Sequence, residues 1–492
     1  MPLIRRASTI LFALLTLPLL VWPALINRYP LLFPDALDYL AEGRPILYAI
    51  FHAHHPAFGG MRSAIYSLGI YAFHLNRTPW PILALHAGIV AYIVYLTVRS
   101  MRARNALTNT LVILAALSIL TSLSWYISLL MPDILGGPLY LAIYLLAFAR
   151  ATLSRAEQGI VAALAIFCAT SHPTHLVIAI LLCALLAAFK LLTPRTPPSR
   201  PWRLSSTPFA SKPLSLALVA STIAVAILFQ LTINARLFGH ASLGGNRPPY
   251  LEARLVADGP GRLFLQQHCA QLNWLLCRNV SQLPTNDDAF LWSDGGIWPS
   301  ATPAEQRELR REELPLALAT LRAYPRQQLT VSASNAWQQL TGFGLDDFDN
   351  NAYMQSNLNS VLPTARDGYD RSLQAHDATP WHPFTITQNL TVLASLAALF
   401  VFLPQAIRRR DTPILGLTGI TLTAVVLNAI VTGVLSEVDS RYQARIVWLV
   451  PLLASSLLLA RKRVPAPEEA GHKATEGSVR TADEIPADLT PA

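Results

Sequence analysis

Charge is what this chain has least of. Asp, Glu, Lys and Arg make up 14% of its 492 residues, against about a quarter in an ordinary soluble domain. Hydrophobic residues reach 52% and the mean hydropathy is +0.38, so a soluble globular fold is excluded and a polytopic membrane protein remains. Glycine-rich phosphate loops, zinc-ligand spacings and internal repeats are also missing, which removes the usual nucleotide-binding loops, zinc modules and solenoids. Strand-like alternation is sparse, and an all-α protein is expected. The net charge of +9 would raise nucleic acid as a partner in a soluble protein. Here the basic residues flank apolar runs, so they read as topology signals, and no nucleic-acid partner is expected.

What is there, in place of charge, is a series of apolar runs. About ten of them are long enough to read as transmembrane helices: 8–26, 81–98, 106–123, 134–148, 160–170, 176–192, 214–233, 386–403, 414–434 and 446–460. Arg5 and Arg6 precede the first run, which continues to Ile26 without a small-x-small cleavage site and reads as an uncleaved signal-anchor. The short apolar run 63–75 is read as interfacial or re-entrant, because counting it as a span would invert every later basic loop. With that choice both termini are cytoplasmic, and the loops rich in carboxylates and histidine all fall outside.

The expected layout is a transmembrane module at 1–233 carrying a first outer loop at 28–62. A mostly helical extracytoplasmic domain at 234–383 is inserted before the last three spans. A second transmembrane module follows at 384–463, and the cytoplasmic tail at 464–492 has a disordered composition. In the outer domain, Thr302, Pro303 and Glu305 form a capping box that opens a helix, and a helical pattern over 325–340 has the makings of a bilayer-surface helix. Of the four cysteines, Cys168 and Cys183 lie in apolar runs as core residues. Cys269 and Cys277 share the outer segment, where an oxidising compartment favours a disulfide between them.

Titratable groups crowd the stretch from Arg28 to Arg62, which holds Asp35, Asp38, Glu42, Arg44, His52, His54 and His55. Ionisable residues kept beside a membrane mark a functional site. Asp35 and Asp38 are three apart and share one helical face, so one serves as general base or metal ligand while the other orients its partner. The competing reading is a capped juxtamembrane helix start, where acids are favoured electrostatically. His54 and His55 lack a metal-binding spacing and suit hydrogen bonds to phosphate or sugar, or a place at headgroup level. His172, in the tight connection 171–175, either lines a substrate path or only turns the chain. Asp346, Asp347 and Asp349 lack the spacing of a calcium loop and read as a solvated turn. In the last outer loop Glu437, Asp439, Arg441, Tyr442 and Arg445 precede the final span. Arg441 and Arg445, one turn apart, form a clamp for a lipid phosphate or else a snorkelling, salt-bridged helix end.

Three pieces together resemble the integral-membrane glycosyltransferases of the GT-C superfamily, which use polyprenyl-phosphate sugars. They are Asp35, Asp38 and Tyr39 in the first outer loop, the stretch HHPAFGGMRSAIYSLGIYAF that follows it, and SRYQARIVWLVPLL with Arg441, Tyr442 and Pro451. The second piece is similar to protein mannosyltransferase-like members. The resemblance implies that Asp35, then Asp38, is the catalytic base, and that Asp133 is a second acidic residue helping to bind metal or acceptor. It implies a polyprenyl-phosphate-linked donor, membrane lipids as surroundings, and a glycan, lipid or protein acceptor at the outer face of a bacterial inner membrane. Its need for a divalent cation stays open. The alternatives are a transporter or flippase of lipid-linked sugar and a non-catalytic envelope assembly protein.

Overall fold

A computed structural model describes residues 2–52, 59–102, 104–192, 213–364 and 366–461. His54, His55, the proline-rich linker and the polar tail lie outside the described residues. The described chain is helical, and its one β-bridge joins Leu31 to Leu129.

The first helices are α1 (Pro2–Asn27), α2 (Pro34–Phe51), α3 (Ala64–His74), α4 (Trp80–Ser100) and α5 (Ala106–Leu120). They are followed by α6 (Leu123–Ser128), a 3-10 turn at Pro132–Leu135, α7 (Gly136–Phe148), α8 (Arg155–Thr170), α9 (Pro173–Leu192) and α10 (Pro213–Phe238). After the outer segment come α19 (His382–Arg408), α20 (Thr412–Leu435), α21 (Ser440–Val447) and α22 (Leu449–Arg461); α11 to α18 belong to that segment and are described below. Among the described residues seven stretches are long and apolar enough to cross a membrane: α1 from Ile10, α4, α9, α10 from Leu214, α19, α20, and α21 with α22 to Ala460. The chain is therefore a multi-pass membrane protein, with α5 and Pro132–Phe148 as shorter apolar helices.

Local signals explain several boundaries. Ser154 and Glu157 close a capping box on α8, and Glu157 also receives both terminal nitrogens of Arg99 at 2.7 and 2.8 Å, which seals the ends of α4 and α8 together. Asp439 caps α21 by accepting the Arg441 backbone N–H at 2.8 Å. Glycine allows α2 and α3 to touch: a Cβ on Gly43 would come 2.7 Å from Tyr71 Cβ and 2.8 Å from the Ser67 carbonyl. The α3 helix, 11 residues long, is too short to cross and packs beside α2 and α4, as expected for the interfacial run at 63–75.

Two expectations change. The stretch after α1 is not a polar loop: proline at the first helical position starts the 18-residue α2, which buries Leu37, Tyr39, Leu40 and Ile46. The outer segment, in turn, does not form one hydrophobic unit. Its first part contains α11 (Tyr250–Asp258), α12 (Pro260–His268), α13 (Asp287–Leu291), α14 (Ile297–Ser300) and α15 (Pro303–Ala323). These surround their own core of Val256, Leu265, Phe290, Trp298, Leu309 and Leu316. Thr302 and Glu305 make the expected capping box, and Cys269 is disulfide-bonded to Cys277.

The second part has α16 (Pro325–Thr341), α17 (Ala352–Val361) and α18 (Arg366–Asp370). Here Leu345, Phe348, Met354, Leu358 and Tyr369 join the core of the membrane helices. The α16 helix lies against α20, with Gln339 bonded at both ends of its amide to the Asp439 backbone, 2.7 and 3.0 Å. The cap is thereby held on the helical bundle, directly over α21.

Candidate functional site

The first turn of α2 carries Asp35, where the helix dipole favours negative charge, and Asp38 follows on the same face in the next turn. Opposite them stands Arg62. Its Nη2 donates to Asp35 Oδ1, its Nε to Asp38 Oδ2 at 3.4 Å, and its Nη1 to the Tyr250 hydroxyl at 3.4 Å. The guanidinium also lies over Trp292, 5.1 Å from the ring centroid.

The chain is pinned on both sides of Arg62. Gly60, in the left-handed region at φ +62°, donates its N–H to Glu42 Oε1 at 2.9 Å. Ser63 caps α3 and donates its hydroxyl to the Thr170 carbonyl at 2.8 Å.

Around these groups lies a cavity of about 770 Å³ between α2 and the cap. Its walls are aromatic (Phe33, Tyr250, Trp292, Trp298, Tyr353, Tyr442) and its polar groups are mostly carboxylates: Asp35, Asp38, Asp287, Asp288, Glu437 and Asp439. A second cavity of about 200 Å³ shares Asp35, Arg62, Tyr250, Arg441 and Tyr442 with the first, and adds Asp133, His172, Arg247 and Glu313. A third, about 210 Å³, shares Arg62, His172 and Arg247 and runs along Leu176, Val177 and Ile180 of α9 and Gln230 and Asn234 of α10. The series passes from an acidic, aromatic chamber through a place where three arginines meet to an apolar slot between two membrane helices.

Burial raises the proton affinity of several of the acids. The Asp38 carboxyl is pushed up by desolvation, against which Arg62 pulls it down. Glu437 and Glu42 are each raised to about 7, chiefly by burial. His172 is held well below the ordinary histidine range by burial and then by Arg445. Its Nδ1 accepts the Thr174 backbone N–H at 3.3 Å.

The last outer loop divides in two. Arg441 faces the cavities, its guanidinium 3.9 Å over Phe33 and 3.8 Å from Asp439, while Tyr442 donates its hydroxyl to Glu437 at 3.0 Å. Arg445 corrects the expectation of a two-arginine phosphate clamp. Fully buried, it donates to Asp133 Oδ1 at 3.2 Å, Thr174 Oγ1 at 2.9 Å and Asn428 Oδ1 at 3.1 Å. Asp133 is thus taken up by this ion pair, though it also borders the second cavity. Of the alternative, a snorkelling, salt-bridged helix end, the ion pairs are present, Arg441 with Asp439 and Arg445 with Asp133, but neither arginine snorkels, since both are buried.

Tyr39 is buried, ring-to-edge with Tyr66 at 4.9 Å, and borders the second cavity. His172 reaches the cavities as the substrate-lining reading required. In the turn at 346–349, Asp349 accepts the Trp381 indole N–H at 2.9 Å. Among the described residues no group of three or more His, Cys, Asp or Glu is arranged to hold a metal ion.

Sequence reasoning missed Arg62, Tyr250, Trp292 and the pair Arg247 with Glu313, joined through both guanidinium nitrogens at 3.0 and 2.7 Å. The signal for Arg62 was present, since it closes the acid-rich stretch with the opposite charge. Tyr250 and Trp292 had none, because only the folded cap brings them to α2.

Aromatic faces with carboxylates suit polyhydroxylated rings, and guanidinium forks suit phosphate. No protein-family model, no curated protein and no solved structure matches the chain.

Proposed function

We propose that this protein is a GT-C type glycosyltransferase that moves a hexosyl or pentosyl group from a polyprenyl-phosphate donor to a glycan, lipid or protein acceptor. The reading places it in a bacterial inner membrane with about ten spans, α5, α7 and α8 crossing with the seven longer stretches, and the cavities at the periplasmic face. The single observation that carries it is the joining of three unlike compartments at Arg62, the partner of Asp35 and Asp38. A polyprenyl chain fits the apolar slot along α9 and α10, its phosphate the arginine-lined middle, and sugar with acceptor the aromatic chamber. Outer-face transfer has no access to cytosolic nucleotide sugars, which makes a lipid carrier the consistent donor.

In this mechanism Asp38 is the base and Asp35 the anchor of Arg62. Asp35 is tied to Arg62 by the shorter contact, while Asp38 is held at 3.4 Å through one oxygen and has its proton affinity raised by burial. Asp38 takes the acceptor proton as the acceptor oxygen bonds to the anomeric carbon. The bond from that carbon to the phosphate oxygen breaks, and its electron pair leaves with the polyprenyl phosphate. Arg441 stabilises the charge that develops there. A transport path finds less support: the ion pair of Arg445 with Asp133 is closed by Asn428 and Thr174, and reads as a fastening.

The test is transfer of labelled sugar from a panel of polyprenyl-phosphate donors by purified protein. Label reaching an acceptor with wild type and lost with Asp38→Asn supports the reading. Donor binding without transfer, unchanged in Asp35→Asn and Asp38→Asn, sinks it.

A further inference from the structure

Arg62 is the one residue whose three guanidinium nitrogens are each engaged while it borders all three cavities. Two of its partners are the carboxylates proposed to do the chemistry, and the third is the Tyr250 hydroxyl. Its side chain is 13% exposed and those of Asp35 and Asp38 are 16% and 26% exposed, so the pairs are shielded but open on the cavity side. The two other arginines of the middle compartment approach from different elements. Arg247 is held by Glu313, and Arg441 lies over Phe33. An anion among these three guanidinium groups competes with Asp35 and Asp38 for the N–H donors of Arg62.

We propose, resting on the donor class inferred above, that Arg62 exchanges partners: a phosphate in the middle compartment draws it from Asp35 and Asp38 and frees Asp38 as the base. Proton abstraction is then coupled to the arrival of the donor. While Arg62 is bonded to Asp38 it holds that carboxyl's proton affinity below the level that burial alone would set, because a nearby cation favours the charged form. Once the guanidinium turns to the phosphate that restraint is lifted, and Asp38, buried beside Asp35 on the same helix face, becomes the stronger base. The groups that act most on Arg62 electrostatically are Asp35, Tyr250, Tyr39 and Asp38, and Arg441, Arg247, Glu313 and His172 share the middle compartment with it. Of these Asp35, Asp38 and Tyr250 are bonded to it, and the two aspartates change partner.

The exchange makes a prediction that a purely structural ion pair does not: removing an acid tightens phosphate binding. The full chain in lipid nanodiscs is titrated with farnesyl phosphate, which carries the prenyl phosphate but no sugar, and in parallel with farnesol and with inorganic phosphate. These separate the contributions of chain and phosphate. Asp35→Asn is expected to bind farnesyl phosphate about five- to tenfold tighter and Arg62→Gln about tenfold weaker. The double variant should match Arg62→Gln, because the gain requires the arginine that was released. Asp38→Asn, whose bond is the longer one, gains less, and Asp288→Asn, which takes an equal charge from the wider cavity, less than about twofold. Farnesol binding stays where it was in Asp35→Asn.

An Asp35→Asn protein that binds farnesyl phosphate no better than wild type, or a gain that survives in the Arg62→Gln background, overturns the exchange. If farnesyl phosphate does not bind wild type at all, the donor class itself falls, and the exchange with it. Binding without the coupling leaves the donor class standing.

Discussion

Two arginine–aspartate pairs in this protein have the same chemistry and opposite surroundings. Arg62 with Asp35 and Asp38 borders a large cavity, and its side chains keep some exposure. Arg445 with Asp133 has side chains 0% and 1% exposed, set among α7, α9 and α20. A pair shut away from solvent is held by the cost of separating its charges and can only fasten helices. A pair at the edge of a cavity can be prised apart by a competing ion, and so can be used. Burial, more than residue type, divides the roles.

The largest effect expected from this contrast is on chemistry at the exposed pair. Asp38→Asn should lower transfer by about a hundredfold or more, the usual contribution of a positioned general base, with the thermal midpoint within a few degrees of wild type. A midpoint that collapses along with activity would make Asp38 another fastening. At the buried pair the outcome should reverse. Arg445→Met leaves Asp133 as an unpaired buried charge, a loss of about 3–5 kcal/mol, read as a sharp fall in the melting temperature in detergent. Arg445→Met with Asp133→Leu should recover most of it, since two apolar groups replace two charges. If the double variant is as unstable as the single one, the pair does more than hold helices. Smaller still is the effect of Cys269→Ser in the cap. Opening that short disulfide loop should destabilise the cap by about 2–3 kcal/mol, seen by hydrogen exchange in α12 and α15 while the membrane helices keep their protection.

The contrast also explains what could be read from the sequence. Apolar runs reported the long helices well, because in a membrane hydropathy acts on every residue of a span and leaves a long signal. The capping box at Thr302 and Glu305 was legible for a related reason: its partners lie within one turn. Asp35, Asp38 and Arg441 stood out as charges beside apolar runs, and all three border the cavities. Arg445 looked identical to Arg441 in sequence, being one turn further on the same helix. Only packing shows that a turn of α21 carries one arginine into the cavity and the other into the bundle. Tyr250 and Trp292 were invisible because their role depends on a cap that folds around its own core and then sits on α2. The first outer stretch misled for a different reason. Its charged residues suggested a loop, while Pro34 and the buried face of Leu37, Leu40 and Ile46 make it a helix with one wet side.

The smallest predicted effect tests a third kind of acid, neither in an ion pair at the cavity nor in one sealed within the bundle. Glu42 is 6% exposed, accepts the Gly60 N–H through Oε1, and has no partner for Oε2 among the described residues. Burial raises its pKa from 4.5 to about 7. The folded state therefore holds a proton that the unfolded chain has lost between these values, and Glu42 contributes stability that is complete below about pH 4.5 and fades as pH rises through about 7. Glu437 is raised to about 7 in the same direction, so the informative quantity is the difference between two curves. The melting temperature of wild type should fall more steeply from pH 4.5 to 7.5 than that of Glu42→Gln, which keeps the carbonyl that Gly60 needs but cannot ionise. Parallel curves would mean that Glu42 is already charged in the fold. It would then need a cation beside it, and Arg62, two residues beyond Gly60, is the nearest group able to serve, which would draw this acid into the same exchange as Asp35 and Asp38.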